Sequence, residues 1–365
     1  MGFRCGIVGL PNVGKSTLFN CLSDNKAQSE NFPFCTIDPN ISIINVLDSR
    51  LDHLRKIVEP EKIIPTTVKI VDIAGLVKGA SKGEGLGNKF LSNIRETDAI
   101  LHVLRCFDDP NVVHVDGRID PVNDKEIVQY ELQLKDLEIV NKRLEKLTKT
   151  LRSGNDDSKK EIIVLEKIKY NLENSTINKN NFTDDDYLTF IKPLELITFK
   201  PVLYVCNVSE KDLLVDNEYV KKVKDFAAAE NAEVILISAK IESEINELDS
   251  FDEKKIFLED IGMKEPGSNK LIRSTYKLLN LHTFFTACKK EVKAWTVGIG
   301  KNAYDAAGQI HSDFQKGFIC SEVISYNDYI YNGSEIKAKE AGKMRLEGKD
   351  YVVEDGDIMH FRFNI

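Results

Sequence analysis

Residues 9–17 read Gly9-Leu10-Pro11-Asn12-Val13-Gly14-Lys15-Ser16-Thr17, and this stretch decides the fold. It matches the pattern G-x-x-x-x-G-K-[ST], in which glycines allow backbone N–H groups to close around phosphate oxygens. The apolar run from Phe3 to Val8 predicts a buried strand before it, and Thr17 to Leu22 predicts the beginning of a helix after it. A glycine-rich turn could match by chance, but strand, loop and helix in this order predict a nucleotide-binding P-loop.

The side chains of the P-loop suit the phosphates of a nucleotide and its Mg²⁺ ion. Lys15 places a cation on the β- and γ-phosphates, where it also serves catalysis, and Ser16 offers a hydroxyl to Mg²⁺. The nucleotide-binding residues predicted here are Asn12, Val13, Gly14, Lys15, Ser16 and Thr17.

The composition is that of a soluble globular protein of two or three domains. The chain has 365 residues, of which 42 % are hydrophobic and 30 % are charged. A net charge of −8 excludes wholesale attraction to nucleic acid, so any RNA contact depends on local patches. The seven cysteines include no C-x-x-C pair, which argues against a disulfide framework and a zinc site. Without a membrane-length apolar run or a signal-peptide pattern, we expect a cytoplasmic protein with no membrane partner.

Two elements after the P-loop fit a nucleotide switch. Thr36 lies in a loop bounded by prolines, where a switch would supply a second Mg²⁺ ligand, although a threonine there is also an ordinary loop residue. The apolar strand Thr67 to Ile73 carries Asp72 near its end, and Gly75 follows three residues later. An aspartate there can hold the Mg²⁺ shell, and the glycine lets a backbone N–H approach the γ-phosphate. The predicted metal ligands are Ser16, Thr36 and Asp72, with Gly75 at the nucleotide.

Two further strand ends fit the base of the nucleotide. The strand Pro201 to Cys206 leads into Asn207-Val208-Ser209-Glu210, where a guanine-specific GTPase carries N-K-x-D, and the strand Glu233 to Ile237 leads into Ser238-Ala239-Lys240. Guanine would leave its donors poorly paired against Val208 and Glu210, at a cost of about 1–3 kcal/mol per group. We therefore expect ATP in preference to GTP. The predicted base-side residues are Asn207, which could accept from the adenine amino group, and Val208, Glu210, Ser238, Ala239 and Lys240.

These elements follow the carboxyl ends of predicted strands, which is where open α/β sheets bind ligands. Several stretches also resemble the YchF/Obg-like ATPase family, namely Gly2 to Gly9, Asn31 to Thr36, Asp72 to Ala80, Gly83 to Asn88 and Ala341 to Arg345. The resemblance covers essentially the whole chain. It implies a ribosome-associated NTPase that prefers ATP.

The expected fold is α/β, a P-loop G-domain sheet with an inserted antiparallel helical hairpin and a C-terminal β-grasp (TGS) domain. We expect the first part of the G domain at 1–125, a helical arm at 126–196, the second part of the G domain at 197–279 and the TGS domain at 280–365. The β-grasp assignment is what the resemblance implies.

The arm is also predicted from the residues alone. Apolar positions recur every three or four residues from Ile127, and Ser153 to Asp157 predicts a break before a second helix. The predicted coiled-coil seam is Tyr130, Leu134, Leu137, Asn141, Leu144, Thr148 and Leu151, followed by Ile162, Leu165, Ile168 and Leu172. The tip is rich in lysine and arginine, which suits either RNA or a solvated helix face with internal ion pairs.

The C-terminal part reads as a binding module. Lys270 to Leu279 predicts a closing helix, and a second helix is expected around Tyr304 to Ser312. The predicted strands are Val292 to Val297, Phe318 to Ile324, Tyr351 to Val353 and Ile358 to Phe363. No catalytic constellation is evident in this part of the sequence.

The residue that orients the attacking water is not where a simple GTPase has it. A glutamine follows D-x-x-G in that pattern, but Leu76 stands here and cannot hydrogen-bond water. His114 follows the predicted strand Ala99 to Phe107, and a histidine can orient or deprotonate water at cellular pH. The resemblance assigns a catalytic histidine to this motif; by itself, His114 would be an ordinary structural histidine.

The resemblance also implies that Asn12 helps to coordinate K⁺, whereas the asparagine would equally suit a tight turn.

The predicted function is that of a ribosome-associated ATPase, acting as a nucleotide-dependent switch in translation and stress regulation. The alternative is a ribosome- or RNA-binding protein whose nucleotide site senses ATP without turning it over. The expected cofactors are Mg²⁺ and K⁺, and the expected partners are ATP, the large ribosomal subunit, and rRNA or tRNA through the arm and the TGS domain. We expect a monomer or a weak dimer.

Overall fold

The computed structural model describes residues 3–24, 40–73, 94–112, 117–150, 156–176, 181–248 and 250–364. Three predicted site residues, Thr36, Gly75 and His114, lie outside these ranges, as does Leu76. The described residues form two six-stranded sheets and a long helical hairpin. None of their helices is long and apolar enough to cross a membrane.

The first sheet has the strand order β2-β4-β1-β5-β6-β7, in which β2 is antiparallel and the other strands run parallel. Every residue of β5 is buried, as is required of a central strand covered by helices on both faces. Five of these strands were predicted and are confirmed to within two residues at each end, whereas β2 was not predicted. The strands of this sheet are β1 (Arg4–Val8), β2 (Ile41–Asn45), β4 (Thr67–Asp72), β5 (Ala99–Arg105), β6 (Val202–Asn207) and β7 (Glu233–Ile237).

Helices pack on both faces of this sheet and bury its aliphatic side chains. Leu18 and Leu22 of the P-loop helix are almost completely buried against the strands, with Ile7 and Ile70 beneath them. The predicted closing helix is confirmed and begins three residues earlier, at Gly267. The helices of this part are Lys15–Asp24, Glu218–Ala229, Ala239–Glu247, Phe251–Asp260 and Gly267–Leu278.

The arm is an antiparallel pair of helices, Pro121–Thr150 and Asp156–Glu173. Arg143 pairs with Glu161 at 2.6 Å, and Ser175 bonds to Gln133 at 3.1 Å. An earlier residue of the first helix thus meets a later residue at the end of the second, which shows that the two helices run in opposite directions. The predicted seam is correct for the second helix, where Leu165, Ile168 and Leu172 are buried.

In the first arm helix the predicted seam is partly wrong. Tyr130 is 59 % exposed and Thr148 is also exposed, whereas Val140 and Leu147 are buried in their place. The reason is that the base of this helix packs against the first sheet through Val128 and Leu132, which turns its apolar face away from a single continuous seam.

Buried polar contacts fix the arm to the first sheet. Asp136 is fully buried and accepts hydrogen bonds from the backbone N–H groups of Ile197 and Thr198, at 3.0 and 2.8 Å. Lys200 donates to the carbonyls of Ile94 and Arg95, at 3.1 and 2.6 Å. The short turns between arm and sheet are Asp184–Asp186, Tyr187–Ile191, Lys192–Leu194, Ile197–Phe199 and, after β6, Glu210–Asp212.

The second sheet has the order β11-β10-β12-β8-β9-β3 and mixes parallel and antiparallel neighbours. The predicted strand at Tyr351 to Val353 is wrong, because Val352 makes only an isolated bridge with Asn302. The strands are β3 (Lys62–Ile64), β8 (Leu281–Ala287), β9 (Glu291–Gly298), β10 (Phe318–Ile324), β11 (Arg345–Glu347) and β12 (Ile358–Phe363).

The helices around this sheet are short. The helix expected to run through Ser312 ends at Ile310, where His311 adopts an extended conformation and begins the next one. The helices are Ala303–Ile310, Ser312–Lys316, Tyr326–Asn332 and Glu335–Glu340.

One segment of the first hundred residues belongs to the second sheet. Helix Ser49–Val58 buries Leu51, Leu54 and Val58 in the core of that sheet, and β3 pairs with β9. Arg50 extends the contact, because its guanidinium bonds to Asp355 at 2.7 Å. The predicted first segment, 1–125, therefore contributes to both sheets.

Candidate nucleotide-binding site

The P-loop connects the carboxyl end of β1 to the helix that begins at Lys15. Gly14 has φ +92°, and a Cβ there would lie 2.1 Å from Nδ2 of Asn207, so only glycine fits. A Cβ on Gly9 would lie 2.7 Å from the carbonyl oxygen of Val103. Asn12 has φ 64°, a left-handed conformation that asparagine tolerates better than most residues. Gly9 is therefore dictated by close approach to a neighbouring strand, and Gly14 by its positive φ and the Asn207 side chain.

Of the predicted phosphate and metal ligands, Lys15, Ser16 and Asp72 lie at one edge of the first sheet, and Thr36 is outside the described residues. Lys15 is only 7 % exposed, and its ammonium group bonds to the carboxylate of Asp72, at the end of the neighbouring strand β4. Ser16 and Thr17 are exposed at the beginning of the helix. A hydroxyl and a carboxylate are hard oxygen ligands of the kind that Mg²⁺ prefers, so the residues present fit this ion.

Asn207 links the P-loop to the loop that follows β7. Its Nδ2 donates to the carbonyl of Val13 at 2.9 Å, and its Oδ1 accepts from the backbone N–H of Ala239 at 3.0 Å. The side chain is 5 % exposed. Asn207 therefore braces the two loops. These bonds use one Nδ2 hydrogen and one Oδ1 lone pair, so the expected contact of Asn207 with the base stays a prediction.

The remaining predicted base-side residues line one pocket of about 1000 Å³ together with Asn12, Gly14 and Thr17. Val208 is 2 % exposed and forms part of an apolar wall with Leu214 and Ile261, which the sequence did not single out. Lys240 lines the mouth, where its ammonium lies 3.8 Å from Glu244. The pocket is lined by Val208, Ser209, Glu210, Lys211, Ser238, Ala239, Lys240 and Ser243 on this side.

The opposite wall of the pocket is a loop at the end of β5, formed by Phe107, Asp108, Asp109 and Val112. Arg105 holds this loop. Its guanidinium donates to the carbonyls of Phe107 at 3.2 Å, Asp109 at 3.2 Å and Val112 at 2.9 Å. Sequence reasoning missed Arg105, because an arginine at a strand end usually marks the surface.

Comparison with known proteins places this site in a family. A family model described as "50S ribosome-binding GTPase" matches residues 4–167, and the model YchF-GTPase_C, described as a protein of unknown function, matches residues 281–364. The chain is 54 % identical over 366 residues to the ribosome-binding ATPase YchF of Haemophilus ducreyi, and 51 % identical over 367 residues to that of Bacillus subtilis. Both alignments cover 100 % of each chain.

A solved structure has the same fold. The YchF GTPase of Schizosaccharomyces pombe superimposes with a TM-score of 0.89 at 37 % sequence identity. The superposition covers 99 % of this chain and 98 % of that protein.

Proposed function

The chain belongs to the YchF family, and we propose that it is a ribosome-binding ATPase that hydrolyses ATP in preference to GTP. The observation that carries this proposal is the convergence of the P-loop, Asp72 and the Asn207-braced pocket at the carboxyl edge of one sheet. Phosphates would bind at the P-loop, and the base would enter the pocket between Phe107 and Leu214.

The preference for ATP is attributed to Val208 and Glu210. A guanine base presents two donors to the aspartate of N-K-x-D, whereas adenine lacks the 2-amino group. Glu210 carries its carboxylate one methylene further out, and buried Val208 offers no polar atom in place of the lysine. Guanine would then leave donors unpaired, which costs roughly 1–3 kcal/mol each.

Hydrolysis is proposed to use Lys15, Mg²⁺ and His114. Lys15 would leave Asp72 and bind the β- and γ-phosphates, and Ser16, Thr36 and Asp72 would hold Mg²⁺. The ion, when bound, neutralises charge on the phosphate oxygens. Gly75 would offer its N–H to the γ-phosphate and His114 would orient the attacking water, since Leu76 has no polar group for that purpose.

A K⁺ ion beside Asn12 is proposed as a second cation at the phosphates, where it would act as an arginine finger does elsewhere. The same left-handed asparagine suits the tight turn alone. Hydrolysis rates measured in K⁺ and in Na⁺ buffers separate the two roles. A faster rate in K⁺ is expected if Asn12 helps to bind this ion, and identical rates would mean that Asn12 serves only the turn.

The ribosome is the proposed partner, because relatives that align over the whole chain are named for binding it. The contacts are proposed to lie on the large subunit, through the arm tip and the C-terminal domain, which we assign to the TGS type. The four-part division at 125, 196 and 279, the coiled-coil character of the arm, and a monomeric or weakly dimeric state remain predictions.

A single-turnover phosphate-release assay tests the proposal. Labelled ATP or GTP is mixed with excess protein, with and without ribosomes, and Lys15→Met serves as the variant that reports contaminating activity. We expect faster release from ATP than from GTP, and faster release with ribosomes than without. Tight ATP binding with no release under either condition would favour the sensing alternative.

A further inference from the structure

Arg105 is a buried cation that forms no ion pair with a carboxylate within the described part of the chain. It is 1 % exposed, and its hydrogen-bond acceptors are the three carbonyls of the pocket loop. The guanidinium also lies 4.7 Å from the ring centroid of Phe107. Burying a charge is costly unless its hydrogen bonds are satisfied, so the loop and the arginine depend on each other.

The guanidinium determines the shape of the loop because its acceptors are spread along it. Phe107 and Val112 lie at the two ends of the pocket wall, and Asp109 lies at the turn between them. The loop also has local bonds, from the Val112 N–H to the Asp109 carbonyl at 3.2 Å and from the Asn111 N–H to Asp109 Oδ1 at 2.8 Å. Of the bonds named here, only those of Arg105 connect β5 to Val112, at the far end of the loop.

The start of the loop is fixed independently of Arg105. The N–H of Cys106 donates to the carbonyl of Asn207 at 2.8 Å, and Asn217 donates to the carbonyl of Cys106 at 2.8 Å. The hydroxyl of Tyr219 also donates to the carboxylate of Asp108 at 3.1 Å. Removal of the guanidinium should therefore release the wall from Asp109 to Val112 and leave the sheet intact.

We propose that Arg105 is a positioning residue for the ATPase reaction. Its guanidinium holds the pocket wall from Phe107 to Val112 in place beside the bound nucleotide. The proposal rests on the proposed function. The guanidinium of Arg105 presents N–H donors from three nitrogens in one plane and so reaches carbonyls spread along the loop, whereas the three donors of a lysine ammonium radiate from a single nitrogen. A misplaced wall should affect the reaction more than binding, because reacting groups tolerate displacement less well than a bound base does.

The test uses the full chain with Arg105→Lys and Arg105→Ala, and with Arg273→Lys as the control. Arg273 is an exposed side chain of the helix Gly267–Leu278, bonds to Glu265 and does not line the pocket. Three quantities are measured: amide hydrogen exchange of residues 106–112, ATP affinity, and the single-turnover rate. For both Arg105 variants we expect faster exchange in the loop, affinity lower by about 3- to 10-fold, and a rate lower by about 10- to 100-fold.

Rescue by a small molecule provides the sharper result. Methylguanidinium should restore part of the rate in Arg105→Ala, whereas methylammonium should not, because the latter lacks the planar fork. Unchanged loop exchange and an unchanged rate in both variants would overturn the proposal. Loss of protection throughout β5 and β6 would also overturn it, since Arg105 would then support the whole fold.

The proposal and the proposed function can fail separately. If the unaltered chain releases no phosphate from ATP, the ATPase assignment fails, and no positioning for hydrolysis can be claimed. If the unaltered chain hydrolyses ATP and the variants do so equally well, only the role of Arg105 fails.

Discussion

The ammonium group of Lys15 donates a hydrogen bond to the carboxylate of Asp72, across the gap between the P-loop helix and the end of β4. These are the two groups expected to face the γ-phosphate and the Mg²⁺ ion. Each neutralises the other before a nucleotide binds. Binding therefore has to exchange this ion pair for contacts with phosphate and metal.

Replacing Asp72 should separate these two effects. In Asp72→Asn we expect ATP affinity without Mg²⁺ to rise by up to about 10-fold, because Lys15 no longer loses a charge-assisted hydrogen bond on binding. Added Mg²⁺ should no longer raise the affinity. Titration of a fluorescent ATP analogue in Mg²⁺ and in EDTA measures both, with Asp98→Asn as the control. Equal weakening in both buffers would contradict the exchange of partners.

Asn207→Ala tests the bracing of the P-loop. The change leaves the Val13 carbonyl and the Ala239 N–H unpaired, which costs about 1–3 kcal/mol per group. We expect ATP and GTP affinities to fall by the same factor, roughly 10- to 100-fold. Asn246→Ala is the control, since Asn246 donates one bond to the Cys21 carbonyl at 2.7 Å. A loss confined to ATP would mean that Asn207 recognises adenine itself.

The base preference should move with two side chains. Val208→Lys combined with Glu210→Asp restores the pattern that pairs with guanine, so the ratio of GTP to ATP affinity should rise. A restored pair of hydrogen bonds corresponds to about 10-fold or more. Lys211→Ala, which changes a neighbour in the same pocket, should leave the ratio as it was. If the unaltered chain binds GTP more tightly than ATP, the proposed preference for ATP is wrong.

His114→Ala should lower the hydrolysis rate and leave ATP affinity nearly intact. If the histidine is a general base, the expected loss is about 10²- to 10⁴-fold, and it is smaller if the side chain only positions water. Single-turnover assays with and without ribosomes measure the effect, and the exposed His311→Ala is the control. An unchanged rate under both conditions would exclude His114 from catalysis.

His102 should make stability depend on pH. Its burial, and then the nearby charge of Lys125, lower its pKa from 6.5 to about 3, while its ring packs 5.7 Å from that of Tyr204. The unfolded chain binds a proton below pH 6.5 that the folded chain refuses until about pH 3, so stability falls as the pH drops through this window. The contribution lost between pH 7 and pH 5 is about 2 kcal/mol.

Denaturant unfolding at several pH values checks this effect. In His102→Leu the dependence between pH 7 and pH 5 should become shallower by that amount, whereas His360→Leu, on an exposed face, should keep the slope of the unaltered chain. An unaltered slope in His102→Leu would assign the acid sensitivity to other groups.

The sequence was most informative where function constrains short stretches. Asp72, Asn207 and Ser238 at strand ends, and Lys15 in the loop after β1, were predicted to converge because parallel strands deliver their carboxyl ends to one edge. The buried strand β1 was predicted from the apolar run Phe3 to Val8. These features depend on residues close together in the chain.

Features that depend on distant partners were not predicted. Arg105 is buried only because three carbonyls of a following loop turn back to meet it. The short segment Lys62–Ile64 finds its partner, Glu291–Lys293, more than two hundred residues later. Tyr130 fits the spacing of the predicted seam but is exposed, because that helix packs against the first sheet through Val128 and Leu132.

The pairing of β3 with β9 limits how the chain can be divided. A fragment of residues 280–365 would lack the edge strand β3 and the helix that buries Leu51, Leu54 and Val58. The apolar surface around Phe285 and Val292 would face water, and the strand edge at β9 would be open to other chains. The C-terminal domain therefore does not fold independently of the first part of the chain. A gene segment that begins after the closing helix would encode an aggregation-prone fragment. A viable excision would have to graft residues 49–64 back onto it.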